Sequence, residues 1–285
     1  MAIARRAAAP VIHSERALTS TATVPAGRPP WESEGFDAAR RLVAARRQAS
    51  THPLQLVRAL ARANDVVAAS RYVRGLPLVA IAPSDTTNGR WLASRVDGRV
   101  GAGLARAALL LDGTVEGYLA GRRKQALRTN LRRARNEGFT AHVACESERA
   151  RLEAQRAADG RAPMLVREQQ DLLLLADGDG VWRGYCLVTR DGELAYLERF
   201  VRRNDKAAYV LGRNVLQVAL VEHLLSSGVR LLLTGSALTV RTGTTYFQYL
   251  AGYDIVNVRV RRRVGADAPV QGAFHGFDRR GTERS

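Results

Sequence analysis

Hydrophobic and polar positions along this chain change period several times, and each change predicts an element. Residues 37–48 and 54–63 repeat apolar side chains at helical spacing. Asp37 is placed to cap the first of these helices, and Thr51-His52-Pro53 separates the two. Residues 76–82 read as a strand ended by Pro83 and a polar turn, 91–96 as a second short strand and 107–111 as a third. Asp112-Gly113 or Thr114 then opens a basic helix over 117–138, in which Leu127, Leu131 and Ala134 recur at i, i+4 and i+7. Gly138 stands where a helix that ends in the left-handed conformation favours glycine.

The second half is more regular. Residues 139–144 predict a strand, 147–158 a charged helix and 164–176 a further helical stretch before the turn cluster at Asp177. Residues 181–189 and 193–202 flank Arg190-Asp191-Gly192, a strong hairpin signal. Residues 211–227 form a long amphipathic pattern closed by Gly228, and 230–235 an apolar strand of the kind buried on both faces. A short helix over 245–251 ends at Gly252, and 253–263 is the closing strand. The expected organisation is a disordered leader over 1–35, whose sparse apolar surface cannot repay ordering entropy, a small N-terminal α/β lobe over 36–112, a main domain over 113–264 and a disordered tail over 265–285.

Composition narrows the classes. At 285 residues and 46% hydrophobic the chain can bury a substantial core. No apolar run reaches the roughly 18–20 residues of a membrane helix, and the N-terminus lacks a secretory core segment, so no membrane span and a cytoplasmic location are expected. Cys145 and Cys186 have no metal-ligand spacing and read as buried thiols. The five histidines do not cluster, and Val221-Glu222-His223-Leu224-Leu225 lacks the second histidine of a zinc helix, so no metal is expected. No G-x-S-x-G elbow supports a hydrolase triad, and Thr242-Gly243-Thr244-Thr245 lacks the lysine of a phosphate loop.

The net charge is +17. Of 44 basic residues only Lys124 and Lys206 are lysine, a skew that GC-rich codon usage explains. Codon usage does not explain 44 bases against 27 acids. That excess attracts phosphates, whether of nucleic acid, a nucleotide cofactor or anionic lipid.

Two segments carry a family likeness. Residues 124–138, KQALRTNLRRARNEG, and 246–252, YFQYLAG, with Phe247 and Gly252 in phase, resemble two loose motifs of the FemAB-like, acetyltransferase-like branch of GNAT-type acyltransferases. The order of hairpin, long helix, buried strand, short helix and closing strand is similar to that superfamily's core, over about 117–263. The resemblance implies a GNAT-like mixed, mostly antiparallel sheet flanked by helices. It also implies that the strands around Glu198 and Leu231 splay into a V that admits the donor. The implied activity is transfer of an acyl group from acyl-CoA, such as acetyl-CoA, to a small-molecule or peptide amine. The alternatives are an aminoacyl-tRNA-dependent FemAB-like transferase, with tRNA as partner, and a non-catalytic GNAT-like protein that binds RNA or a protein partner.

The usual glycine-rich pyrophosphate loop before the long helix is reduced here to Gly212, with Arg202, Arg203, Arg213 and Asn214 as the donor-binding candidates. The branch's acid after the buried strand is absent at Leu233-Thr234-Gly235, and its lysine after Phe247 is Gln248. Glu198, which strict alternation places beside Leu194, Tyr196 and Phe200, is the candidate base; an ion pair with an arginine is the competing assignment. Tyr246 is the candidate acid, with packing as its alternative. Lys124, Arg128 and Arg132 are candidates for substrate or phosphate contacts, against a merely solvated basic face.

Overall fold

The computed structural model describes residues 30–49, 51–96, 105–158, 160, 163–164, 169–203 and 206–261. Its sheet is built outward from Leu172, Leu173, Leu174 and Leu175, each at most 1% exposed. These lie on β4 (Gln170–Ala176), where a helix was expected over 164–176. Four successive leucines carry no period, so spacing alone cannot separate a strand buried on both faces from a helix. On one side β4 pairs antiparallel with β3 (Thr140–Val143). On the other it pairs with β5 (Trp182–Asp191), which turns at Gly192 into β6 (Leu194–Arg202), the predicted hairpin.

Among the described residues the sheet has eight strands in the order β1-β8-β2-β7-β6-β5-β4-β3, where β1 is Leu78–Ile81, β2 Arg106–Leu110, β7 Leu231–Ser236 and β8 Asp254–Val260. Pairing is parallel only between β1 and β8 and between β6 and β7. The mixed, mostly antiparallel sheet flanked by helices is therefore as expected. The boundary drawn after residue 112 is not a boundary of this sheet. β2, from the supposed N-terminal lobe, lies between β8 and β7.

Helix α8 (Lys206–Ser226) covers one face of the sheet, setting Leu216, Leu220, Val221 and Leu224 against Leu173, Leu175, Cys186 and Val188. The basic helix packs beside it in two pieces. A short helix α5 (Val115–Leu119), capped by Thr114, is followed by Gly121 at φ 86°, one 3₁₀ turn (Arg122–Lys124) and α6 (Gln125–Asn136). Gly138 has the expected positive φ, 81°.

The opposite face is covered by α4 (Thr87–Val96) and α7 (Glu146–Ala158). The strand expected over 91–96 is the end of α4, because Leu92 and Val96, one helical turn apart, are both buried against Leu194 and Leu231. Asp191 ties this layer to the hairpin. It accepts hydrogen bonds from the Ser84 N–H at 2.7 Å, from Ser84 Oγ and from Thr86 Oγ1 at 3.3 Å.

Three helices, α1 (Glu34–Arg47), α2 (Pro53–Leu60) and α3 (Ala63–Gly75), form the N-terminal layer. The leader is shorter than expected: Trp31 is buried, its ring centroid 4.5 Å from that of Tyr249. Residues 1–29 and the expected tail over 265–285 lie outside the described residues. Of the two thiols, Cys186 is buried as expected, whereas Cys145 is exposed where β3 leads into α7.

Candidate functional site at the opening between β6 and β7

β6 and β7 pair over only Leu194–Leu231, Ala195–Leu232 and Tyr196–Leu233. Beyond that point β6 runs on to Arg202 and β7 to Ser236 without bonding each other, so the strands splay as the resemblance implies. The apex is held from β2. There the Arg106 guanidinium, 5% exposed, donates to Tyr196 Oη at 3.2 Å and to the Thr234 carbonyl at 3.3 Å. It thereby satisfies a carbonyl at the point where the β6 ladder has ended.

A cavity of about 590 Å³ lies on the β6 side of the opening, between β6, the first half of α8 and α9 (Thr242–Leu250). Leu197, Phe200, Tyr209 and Phe247 give it an apolar wall. Arg202, Lys206, Arg213 and Arg241 bring four cations to its lining, and none of the described lining residues is Asp or Glu. Arg213 is half-buried with its guanidinium 4.3 Å from the Phe247 ring centroid, and burial lowers its pKa. Its Nε has no hydrogen-bond partner.

Two amides on the lining, Gln217 buried and Gln248 half-buried, behave similarly. Gln217, 1% exposed, accepts a hydrogen bond from Tyr253 Oη at 3.3 Å through Oε1, while its Nε2 is unpartnered. Gln248 donates to Thr234 Oγ1 at 3.2 Å and leaves Oε1 unpartnered. A buried polar atom without a partner costs about 1–3 kcal/mol. Four cations and three unpartnered polar atoms on one lining are suited to an anion that also carries hydrogen-bonding groups.

The expected site residues divide sharply. Arg202 and Arg213 line the cavity. Arg203 does not; it is half-buried, with its guanidinium 6.0 Å from the Trp182 ring centroid. Gly212 is a packing glycine rather than part of a phosphate cradle, since a Cβ there would lie 2.6 Å from Phe139 Cδ1 and 2.9 Å from Leu175 Cδ2. Asn214 is buried and donates to the Leu211 carbonyl of its own helix at 2.9 Å.

Strict alternation fails at Glu198. β6 carries a bulge there, since Leu187 faces Arg199 while Val188 faces Leu197. Phe200 consequently turns into the cavity, and the Glu198 carboxylate accepts from Thr189 Oγ1 and, at 2.7 Å, from Gln170 Nε2, away from the cavity lining. Tyr246 is also outside the lining, 51% exposed, with its ring centroid 6.3 Å from that of Trp31. The tyrosines that do line the cavity are Tyr209 and Tyr253, and burial raises the pKa of both. Nothing in their spacing marked them. They come from different elements that only the splay brings together.

Three cations of the basic segment, Arg123, Lys124 and Arg128, are committed to backbone carbonyls. Arg128 donates to the Leu119 and Gly121 carbonyls at 2.6 and 2.8 Å, and Arg123 to the Tyr249 carbonyl at 3.0 Å and Asp254 Oδ1 at 2.8 Å. Lys124 Nζ donates to the Tyr118 carbonyl at 3.1 Å, lies 3.6 Å from the Tyr118 ring centroid and packs against Gly252, whose φ of 91° and close neighbour both favour glycine. Arg132 is exposed on α6.

Burial, then repulsion from Arg123, pulls the Lys124 pKa down to about 8. Below that pH both folded and unfolded chains hold the proton, and folding carries the full cost of burying it. Stability therefore rises by about 1–2 kcal/mol between about pH 8 and pH 10, as the folded chain sheds a proton that the unfolded chain keeps. The difference in urea-unfolding stability between the parent and Lys124→Met isolates this contribution, because the buried tyrosines, whose pKa values burial raises, oppose it at the alkaline end.

A scan against protein-family models finds no match for this chain, and a search of curated proteins finds none. Among solved structures the chain is similar to FemX, with 11% identity over 54% of this chain and 59% of that one and a TM-score of 0.41. It is also similar to L-PGS from Bacillus licheniformis (13% identity, 53% of this chain and 57% of that one, TM-score 0.36). A third is a GCN5-related N-acetyltransferase from Sphaerobacter thermophilus (19% identity, 61% and 55%, TM-score 0.35). The chain spans less than two thirds of each. Among the described residues no cluster of His, Cys, Asp or Glu could hold a metal ion, and no helix is long and apolar enough to cross a membrane.

Proposed function

We propose that this chain is a GNAT-like N-acyltransferase that binds a phosphate-bearing acyl donor, acyl-CoA, in the opening between β6 and β7 and transfers the acyl group to an amine. One observation carries the reading. The splay holds a cavity large enough for part of a cofactor-sized molecule, with four cations and no described carboxylate on its lining. Arg213, Lys206 and Arg241 suit the donor's phosphates, and the start of α8 adds its N–H groups to the same side. Gln217 Nε2 and Gln248 Oε1 suit amide groups of the donor's arm. An open cavity whose apolar wall is rimmed by cations supports binding over a filled, non-catalytic gap. Isothermal titration with acetyl-CoA tests the reading: saturable heat is expected, and its absence at millimolar donor rejects acyl-CoA.

Glu198 enters this proposal from the acceptor side. It sits on the strand that forms the opening, two residues beyond the last paired position, and Thr189 and Gln170 fix its carboxylate on the opposite sheet face. There it can take a proton from an ammonium that approaches through the splay from that face. Glu198→Gln is expected to slow turnover about 10²-fold with acetyl-CoA affinity unchanged. Unchanged turnover removes Glu198 from the reaction. Tyr246, exposed beside Trp31, is left to packing in this scheme, and no leaving-group acid is assigned.

A second reading, aminoacyl-tRNA as donor, is favoured by the exposed Arg122, Arg132, Arg133 and Arg135 beyond the cavity. It requires tRNA binding with a steep salt slope that weakens when Arg132 and Arg133 are replaced. A slope near zero excludes it.

A further inference from the structure

Helix α2 turns large apolar residues outward along one side. Leu54 is 69% exposed, Val57 61% and Leu60 55%, and their spacing of three places them along one side of the helix. Val67 on α3 adds another exposed aliphatic side chain. Beside them a groove of about 390 Å³ runs between α1, α2 and α3, walled by Leu42, Val43, Leu60, Val66 and Val73. It shares no lining residue with the cavity at β6 and β7.

The charge around this apolar strip is one-sided. Residues 34–75 contain eight arginines and three acids. One of the acids, Asp65, is already paired with Arg41 at 2.7 Å. Arg46 and Arg74 line the groove and are exposed, as are Arg47, Arg58 and Arg62 beside it.

Several occupants of an apolar strip can be weighed against this charge. A second copy of the chain would set two such arginine clusters against each other, in molecules of net charge +17. Protein interfaces are anchored mainly by Trp, Tyr and Arg in pockets, with Leu and Val under-represented. Among the described residues of this face the exposed large apolar side chains are Leu and Val, carried on α2 and α3. Aliphatic residues along one side of a helix, flanked by arginines, are what a helix lying in a lipid headgroup layer requires.

We propose that the α1–α3 face docks on an anionic lipid bilayer. In this arrangement α2 lies in the headgroup layer, Leu54, Val57 and Leu60 reach the acyl boundary, and the neighbouring arginines meet lipid phosphates. The proposal is independent of the acyl-transfer reading.

Charge alone would draw this chain to any anionic surface, so the test removes the apolar residues and keeps every arginine. The 285-residue protein is sedimented at physiological ionic strength with phosphatidylcholine vesicles and with mixed phosphatidylcholine–phosphatidylglycerol vesicles. It is expected to bind the mixed vesicles and not the neutral ones. The triple variant Leu54→Ser, Val57→Ser, Leu60→Ser is expected to bind at least about tenfold more weakly, with an unchanged circular dichroism spectrum and melting temperature.

Equal binding by parent and variant shows a charge effect only and overturns the proposal. So does a parent that ignores the mixed vesicles, and so does a parent dimer that the triple variant dissociates. Should the triple variant fail to fold, Val57→Trp replaces it. The emission of its added indole, relative to the parent, must shift to shorter wavelength on the mixed vesicles, and an unshifted spectrum overturns the proposal.

Discussion

Arg213→Ala is expected to weaken acetyl-CoA binding about 10- to 100-fold, the worth of one charge-assisted contact made in a partly dry site. The residue is half-buried, and burial already disfavours its charge, so the folded chain bears a cost that a bound phosphate would relieve. Its guanidinium is oriented by the Phe247 ring at 4.3 Å, and its Nε has no partner. Arg202, exposed on the same lining, is the control: a solvated cation contributes little, and Arg202→Ala should change affinity only about two- to threefold. Arg213→Lys should fall between parent and alanine, because it keeps the charge and loses the planar fork. Titration calorimetry at fixed ionic strength separates the three. Equal, small effects at both arginines would remove Arg213 from the donor site.

The largest stability effect is expected at the other end of β5. Asp191→Ala should cost about 3–4 kcal/mol, because hydrogen bonds to a buried carboxylate are worth about 1.5–3 kcal/mol each and their donors are left without partners. Asp191 is 3% exposed and accepts from one N–H and two hydroxyls of the loop that leads into α4. That loop has little freedom to adjust, since Gly89 already packs directly on the Ser84 carbonyl. A lower urea midpoint at unchanged slope checks the value. A loss under about 1 kcal/mol would mean that the loop finds other partners.

Much of the fold could be read from local chemistry. The hairpin at Arg190-Asp191-Gly192, the glycine caps after α6, α8 and α9, and the three-leucine start of β7 were each specified by a few adjacent residues. Two elements differ from expectation for two reasons: burial on both sides erases period, as at Leu172 to Leu175, and a helix with few buried positions imitates a strand, as in α4.

The site was less legible. Arg202 and Arg213 were found because they flank a motif, but Gln217, Arg241 and Tyr253 come together only through the splay. The bulge at Glu198 is invisible to alternation, because one extra residue reverses the face of everything that follows. Arg106, buried at the apex, sits in a run of alanines and leucines with no motif around it.

The position of β2 bears on how the chain is made. β2 emerges from the ribosome well before either of its neighbours, and it needs both β7 and β8, of which the second ends at Val260. β3 to β6, by contrast, pair almost entirely with strands next to them in sequence and can assemble as they appear. During synthesis the earliest strands therefore wait as unpaired edges while the middle of the sheet closes. β8, seven residues long, admits β1 and completes the pairing of β2, so a nascent chain halted before residue 254 leaves β1 and β2 exposed.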